Sequence, residues 1–121
     1  MLTLHIPQKC GFDKFFSNDS FKCAFITLSP QYSFGKVTQM KRHNMTDEIF
    51  VLLRGKAVML VYDNGDFAET VLEKEKAYNV TKGTWHYLAV SEDALLFVTE
   101  NADTDSTNTD VMDLEIEYYI K

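Results

Sequence analysis

Short apolar runs rich in aromatic and β-branched residues, some of them alternating with polar residues at a period of two, are separated by turn-forming residues at roughly eight- to twelve-residue intervals. Residues of like parity share one face of a strand, so each alternating stretch predicts a half-buried strand. Residues 3–6 predict a short edge strand stopped by Pro7. Residues 8–20 predict irregular structure, yet they carry Phe12, Phe15 and Phe16, which need cover from the sheet or from a second subunit. Residues 21–28 predict a strand, and Ser29-Pro30-Gln31-Tyr32 a turn. Strands follow over residues 35–43 and 48–53, around a turn at residues 44–47 whose side chains can bond their own backbone. Residues 56–62 and 67–72 flank Asp63-Asn64-Gly65-Asp66, where Asn-Gly suits a type I′ turn. The Glu-Lys-Glu-Lys run at residues 73–76 reads as a solvated loop. Short strands are predicted at residues 77–80 and 84–90, about a Thr81-Lys82-Gly83 turn.

Residues 94–99 form a near-continuous apolar run, which predicts a central strand. Residues 101–110 hold no large apolar side chain and predict a loop. Beyond them Met112, Leu114, Ile116, Tyr118 and Ile120 alternate with Asp113, Glu115 and Glu117, a half-buried strand. Helical periodicity and internal repeats are both lacking. About nine short strands therefore predict an all-β sandwich or barrel.

The length of 121 residues suits one domain, with a core at about residues 21–100, a Phe-rich arm at 1–20, and an acidic loop and final strand at 101–121. A formal net charge of −6 argues against nucleic acid as partner. The apolar runs are too short to cross a membrane as a helix. The first residues lack the basic start and apolar stretch of a signal peptide, so a cytoplasmic location is expected. Cys10 and Cys23 form no C-x-x-C motif and are expected as free thiols in a reducing compartment.

Candidate chemistry gathers at residues 35–55. His43 precedes the turn and Glu48 follows it, at the head of the apolar stretch Ile49-Phe50-Val51-Leu52-Leu53. An ionised carboxylate there is costly unless something pairs with it. Val37, Gln39, Lys41 and His43 have like parity and are predicted to share a face. The residues alone leave two readings: a metal site built on rigid strands, or a surface turn whose His and Glu face solvent.

The same stretch resembles the first motif of the cupin family: glycine, five residues, H-x-H, three or four residues, glutamate, six residues, glycine. Here Gly35, Lys41-Arg42-His43, Glu48 and Gly55 stand in that register, with Lys41 in place of the first histidine. Residues 75–90 resemble the second motif more weakly. They keep Gly83 and His86, while Glu75, Thr81 and Val90 replace its first glycine, proline and asparagine. The resemblance spans about residues 30–100 and implies a cupin jelly-roll barrel, commonly a homodimer. It places metal ligands at His43, Glu48 and His86. Two imidazoles and a carboxylate with open positions suit a divalent transition metal such as Fe, Mn, Zn or Ni. Lys41 leaves three arrangements open: a three-ligand metal site, a metal-free site in which Lys41 pairs with Glu48, or a functional lysine acting as base or anion anchor.

Around this set, Gln39 and Phe50 are expected in the pocket wall, and Tyr32 and Phe34 at the barrel mouth or in the core. Trp85 should point away from His86 into packing, and His5 lies outside both motifs. Catalytic candidates are Lys41, His43 and His86. No nucleophile motif surrounds either cysteine, and the acidic C-terminal region lacks the spacing of an EF-hand. The family implied includes enzymes on small oxygenated metabolites (sugars, keto acids, ureido acids), binding proteins without catalysis, and metal-free sugar isomerases.

Overall fold

The computed structural model describes residues 1–121 and is built from ten strands. In chain order they are β1 (Phe12–Ser17), β2 (Phe21–Ile26), β3 (Gly35–His43), β4 (Glu48–Arg54), β5 (Ala57–Asp63), β6 (Asp66–Val71), β7 (Ala77–Val80), β8 (Trp85–Val90), β9 (Leu95–Asn101) and β10 (Thr109–Ile120). One five-stranded sheet has the order β1-β2-β9-β4-β7, the other β10-β3-β8-β5-β6, and every pairing within them is antiparallel. This is the all-β jelly roll that the strand spacing and the motifs lead one to expect. The apolar run at residues 94–99 does lie centrally, as β9 between β2 and β4.

Alternation drives the packing. Ala24 and Ile26 of β2, Phe50 and Leu52 of β4, and Leu96 and Val98 of β9 point from the first sheet into the main core. Met59 of β5, with Leu88 and Val90 of β8, meets them from the second sheet. Fully burying one such side chain contributes about 1.5–3 kcal/mol. The opposite parity of β5 is also buried: Val58 and Leu60 join Val37, Met40, Ala89 and Ile120 in a second cluster on the other face of that sheet. The rings of Phe67 and Tyr118, with centroids 4.7 Å apart, bring β6 and β10 together over this cluster. Since these are the two edge strands of the sheet, it is curled.

Several expectations need correction. Residues 3–6 form no strand; Leu2, Leu4 and Ile6 are exposed, and nothing pairs with this segment. Residues 8–20, expected to be irregular, include β1 and the start of the β1–β2 hairpin. A register shift between Lys14 and Phe16 interrupts the parity of β1 and so hides the strand in the sequence. Phe15 finds its cover by stacking on Phe25 at 4.5 Å. The expected loop at residues 101–110 ends early, because Thr109 and Asp110 already pair with His43 and Arg42.

The β3–β10 ladder also slips. Its register passes from Gln39↔Asp113 to Val37↔Tyr118, so β10 spends more residues than β3 over this step. Ile116 falls in the slack and is 83% exposed, contrary to the alternation expected of it. On β3 the parity changes as well. Val37 and Met40 both enter the second cluster, so Val37 does not share the face of Gln39, Lys41 and His43.

Two turns show what the backbone demands. Asn64 (φ 50°) and Gly65 (φ 89°) are both left-handed, as a type I′ hairpin requires. Gly55 (φ +78°) combines that conformation with crowding, since an added Cβ would lie 2.5 Å from Ala94 Cα. At Gly65 nothing lies within 4 Å of such a Cβ. Gly65→Ala is therefore expected to cost about 1 kcal/mol from backbone strain, and Gly55→Ala upwards of about 3 kcal/mol because the β4–β5 turn must also move. Urea unfolding of both variants checks this; equal costs would remove the role assigned to the Ala94 contact.

Candidate functional site

The turn after His43 does not close a hairpin. β3 belongs to one sheet and β4 to the other, so the chain crosses between the sheets at residues 44–47. His43 and Glu48 therefore approach each other across the interior. His86, on β8 beside β3, completes the group. Its partner across the ladder is Lys41.

His43 Nε2 and His86 Nε2 each lie 3.0 Å from Glu48 Oε1. All three side chains are largely buried, at 17%, 9% and 7% exposure for His43, His86 and Glu48. The far side of each ring is held. His86 Nδ1 lies 2.9 Å from the Thr84 carbonyl, which can only accept, so Nδ1 carries a proton and donates. His43 Nδ1 lies 2.8 Å from Thr109 Oγ1 at the start of β10. In the neutral tautomer of His86 the lone pair is thus on Nε2, facing Glu48. Although Oε1 is close to both rings, it is buried without a properly directed hydrogen bond. The three ligand atoms lie within 4.8 Å of one another. Converging lone pairs with an orphaned carboxylate oxygen form a donor set that fits a divalent transition metal. The bonds at the two Nδ1 atoms are of the kind that orient metal-ligating imidazoles.

The electrostatics reflect this crowding. Burial pushes the Glu48 carboxyl up, but the two histidines outweigh it and hold its pKa at about 2. Burial works against the charged form of His86, whereas Glu48 and the Thr84 carbonyl favour it; the net shift is upward despite Lys41. The Tyr32 hydroxyl is raised by burial and then by the charges of Glu48 and Glu100, so it remains a neutral phenol.

The group opens into a cavity of about 740 Å³. Gln39, Lys41, Phe50 and Tyr32 line it. Gln39 is tethered there, its Nε2 donating to Asp113 at 2.8 Å. Phe34 does not line the cavity; it packs against the second cluster, behind β3. Trp85 also faces away, with the Arg42 guanidinium 4.5 Å above its ring. His5 lies outside the cavity, its ring centroid 5.1 Å from that of Phe15. Both cysteines are free.

Lys22 and Glu100 are among the cavity residues that escaped the sequence reading. Glu100 pairs with Lys22 across β2 and β9, and the β4–β9 register Ile49↔Thr99 brings Glu48 next to Glu100. Burial, then the charge of Glu48, pushes the Glu100 carboxyl up to about 7, against the opposing pull of Lys22. Parity could have found both. Leu96 and Val98 point inward and Glu100 continues their series, as Lys22 precedes Ala24 and Ile26.

Comparison with family models and with curated proteins found no match. Solved structures do match in fold. A cupin-2 domain protein from Shewanella frigidimarina is similar at a TM-score of 0.60 and 17% identity, over 79% of this chain and 84% of that one. Pac13, a nucleoside dehydratase, gives a TM-score of 0.63 at 9% identity, over 96% of this chain and 95% of that one; Streptomyces Pac13 has been solved with uridine. QdtA, a sugar 3,4-ketoisomerase from Thermoanaerobacterium thermosaccharolyticum in complex with TDP, gives 0.61 at 13% identity, over 73% of this chain and 64% of that one. With the two-sheet topology, these likenesses identify the architecture: the chain has the cupin fold.

Proposed function

We propose that this protein is a divalent-metal-dependent enzyme acting on a small oxygenated metabolite, with His43, Glu48 and His86 holding the ion. The observation that carries the reading is the orphaned Glu48 Oε1, 3.0 Å from both imidazole Nε2 atoms. Three ligands from rigid strands leave coordination positions open toward the cavity, as catalytic sites require. A bound Fe, Mn, Zn or Ni ion would supply Lewis-acid polarisation of a substrate carbonyl or hydroxyl. The protein's part is to hold that oxygen beside the triad, with Phe50 and Tyr32 limiting access of water and Gln39 offering a polar contact. A sugar, keto acid or ureido acid fits a cavity of about 740 Å³. Pairing into a homodimer is part of this reading: Leu2, Leu4 and Ile6 are 96%, 86% and 57% exposed on an unpaired segment, and a second copy would cover them.

A second reading rests on the same distances. Without an ion, protons must lie between Glu48 and the imidazoles, making a buried acid–base group suited to isomerisation or dehydration. The likeness to a sugar ketoisomerase and a nucleoside dehydratase supports it at the level of fold only.

Elemental mass spectrometry of untagged protein separates the two. Near one equivalent of a transition metal is expected, lost in His43→Ala and His86→Ala, and bound at least about tenfold more tightly in Lys41→His, which adds an imidazole. Wild type without metal, alongside Lys41→His with it, would overturn the metal reading in favour of the second.

The pH dependence of stability gives an independent check. The depressed pKa of Glu48, about 2, contributes stability above its unfolded value of 4.5 that is lost as pH falls toward 2. The raised His86 contributes stability below its ordinary 6.5, lost as pH rises through the raised value. Glu100, raised from 4.5 to about 7, adds a penalty that grows over that interval. Chelator-treated protein should therefore be most stable to urea at about pH 4.5–5 and weaken toward pH 8. Metal-loaded protein should reverse the alkaline trend, because binding requires deprotonated imidazoles.

A further inference from the structure

Three lysines line the cavity, and they differ in their partners. Lys22 Nζ lies 3.9 Å from Glu100 Oε1 and donates to the Thr104 carbonyl at 2.6 Å. Lys36 Nζ lies 2.8 Å from Glu117 Oε1. Lys41 makes neither an ion pair nor a side-chain hydrogen bond, in a chain whose net charge is −6. It is also the lysine nearest the candidate chemistry. It stands opposite His86 across the β3–β8 ladder, two residues before His43 on the same strand and the same cavity face. Opposed Cα atoms in an antiparallel ladder are about 4.5–5.5 Å apart, so the lysine stem runs alongside the His86 ring.

We propose, building on the metal reading above, that Lys41 is the anion-binding residue of the substrate site. The substrate would carry a carboxylate or phosphate group next to the oxygen presented to the triad. A neutral sugar seated over His43 and His86 would cover the Lys41 ammonium without offering it a counter-charge, which is unfavourable. An oxyanion gives it a charge-assisted hydrogen bond instead. Lysine acts on either anion as a point charge, so carboxylate and phosphate share this chemistry. The β3 register slip is what aims it. With Val37 and Met40 turned into the second cluster, Gln39, Lys41 and His43 are left together along the cavity wall. Gln39, held by Asp113, adds a neutral flank that does not compete for the anion.

Calorimetric titration with oxalate and with inorganic phosphate tests this, with oxamide as the uncharged counterpart of oxalate. Wild type, Lys41→Met and Lys41→Arg are compared, each as purified and after metal stripping. At least one anion should bind wild type and weaken about tenfold in Lys41→Met, while Lys41→Arg stays within about threefold and oxamide shows no such change. Whichever anion binds more tightly identifies the group as carboxylate or phosphate. Equal affinity of both anions for wild type and Lys41→Met would overturn the assignment, and so would the failure of both to bind wild type. Metal content of the same samples reads the other proposal separately: a metal-free protein whose anion affinity still falls in Lys41→Met loses the ion but keeps the lysine.

Discussion

A single carboxylate oxygen facing two imidazoles organises this molecule. Glu48 begins β4 in one sheet, and His43 and His86 end β3 and begin β8 in the other, so the contact ties the sheets together at one end of the barrel. Buried charge of this kind stabilises a fold only when its partners are fixed. Here they are fixed twice, by the ladders that carry the residues and by the Thr84 and Thr109 contacts at the outer ring nitrogens. At the other end of β4 and β8 the interior is apolar, with Leu52, Leu88 and Val90 in the main core. The fold is therefore graded along its axis, from packed core to polar cavity, and each sheet supplies both ends.

The polar end is a row rather than a point. Lys22, Glu100 and Glu48 follow one another across β2, β9 and β4, and the Lys41–His86 pair belongs to the opposing sheet. Lys22 faces Glu100, whereas Glu100 and Glu48 are like charges side by side, and the two imidazoles offset Glu48. Lys41 stands apart, because its cross-strand neighbour is an imidazole rather than a carboxylate and no ion pair engages it. The ammonium is thus available to a ligand, where a carboxylate neighbour would have consumed it.

Much of this was legible in the sequence, and the limits are physical. Short apolar runs, local alternation and turn chemistry locate most strands, and the Asn64-Gly65 turn is readable to its type because only φ > 0 residues fit it. What alternation cannot show is a slip. Phe15 and Phe16 looked like irregular structure because β1 changes register there, and Val37 was placed on the wrong face because β3 does so opposite residues 113–118. Nor does a turn reveal whether it closes a hairpin or crosses between sheets. The His43–Glu48 turn suggested neighbours on one ribbon, whereas they meet from opposite walls. Glu100 is not conspicuous in the sequence because it lies just past the apolar run, where the inward parity of Leu96 and Val98 first reaches a charge.

The register slip in β3 has an energetic logic. A regular β3 would hold one parity throughout, and a strand that buried Val37 by its parity would then put Gln39, Lys41 and His43 into the same apolar cluster. Burying an amide, an ammonium and an imidazole there would cost several kcal/mol without partners. The slip gives each half of the strand its own inward face: apolar toward the second cluster, polar toward the cavity. Its cost is confined to β10, where Ile116 is pushed into solvent. One exposed isoleucine forgoes roughly 1.5–3 kcal/mol of burial. That is smaller than the penalty avoided, so a local defect in the ladder is the favourable solution and the cavity wall is its product.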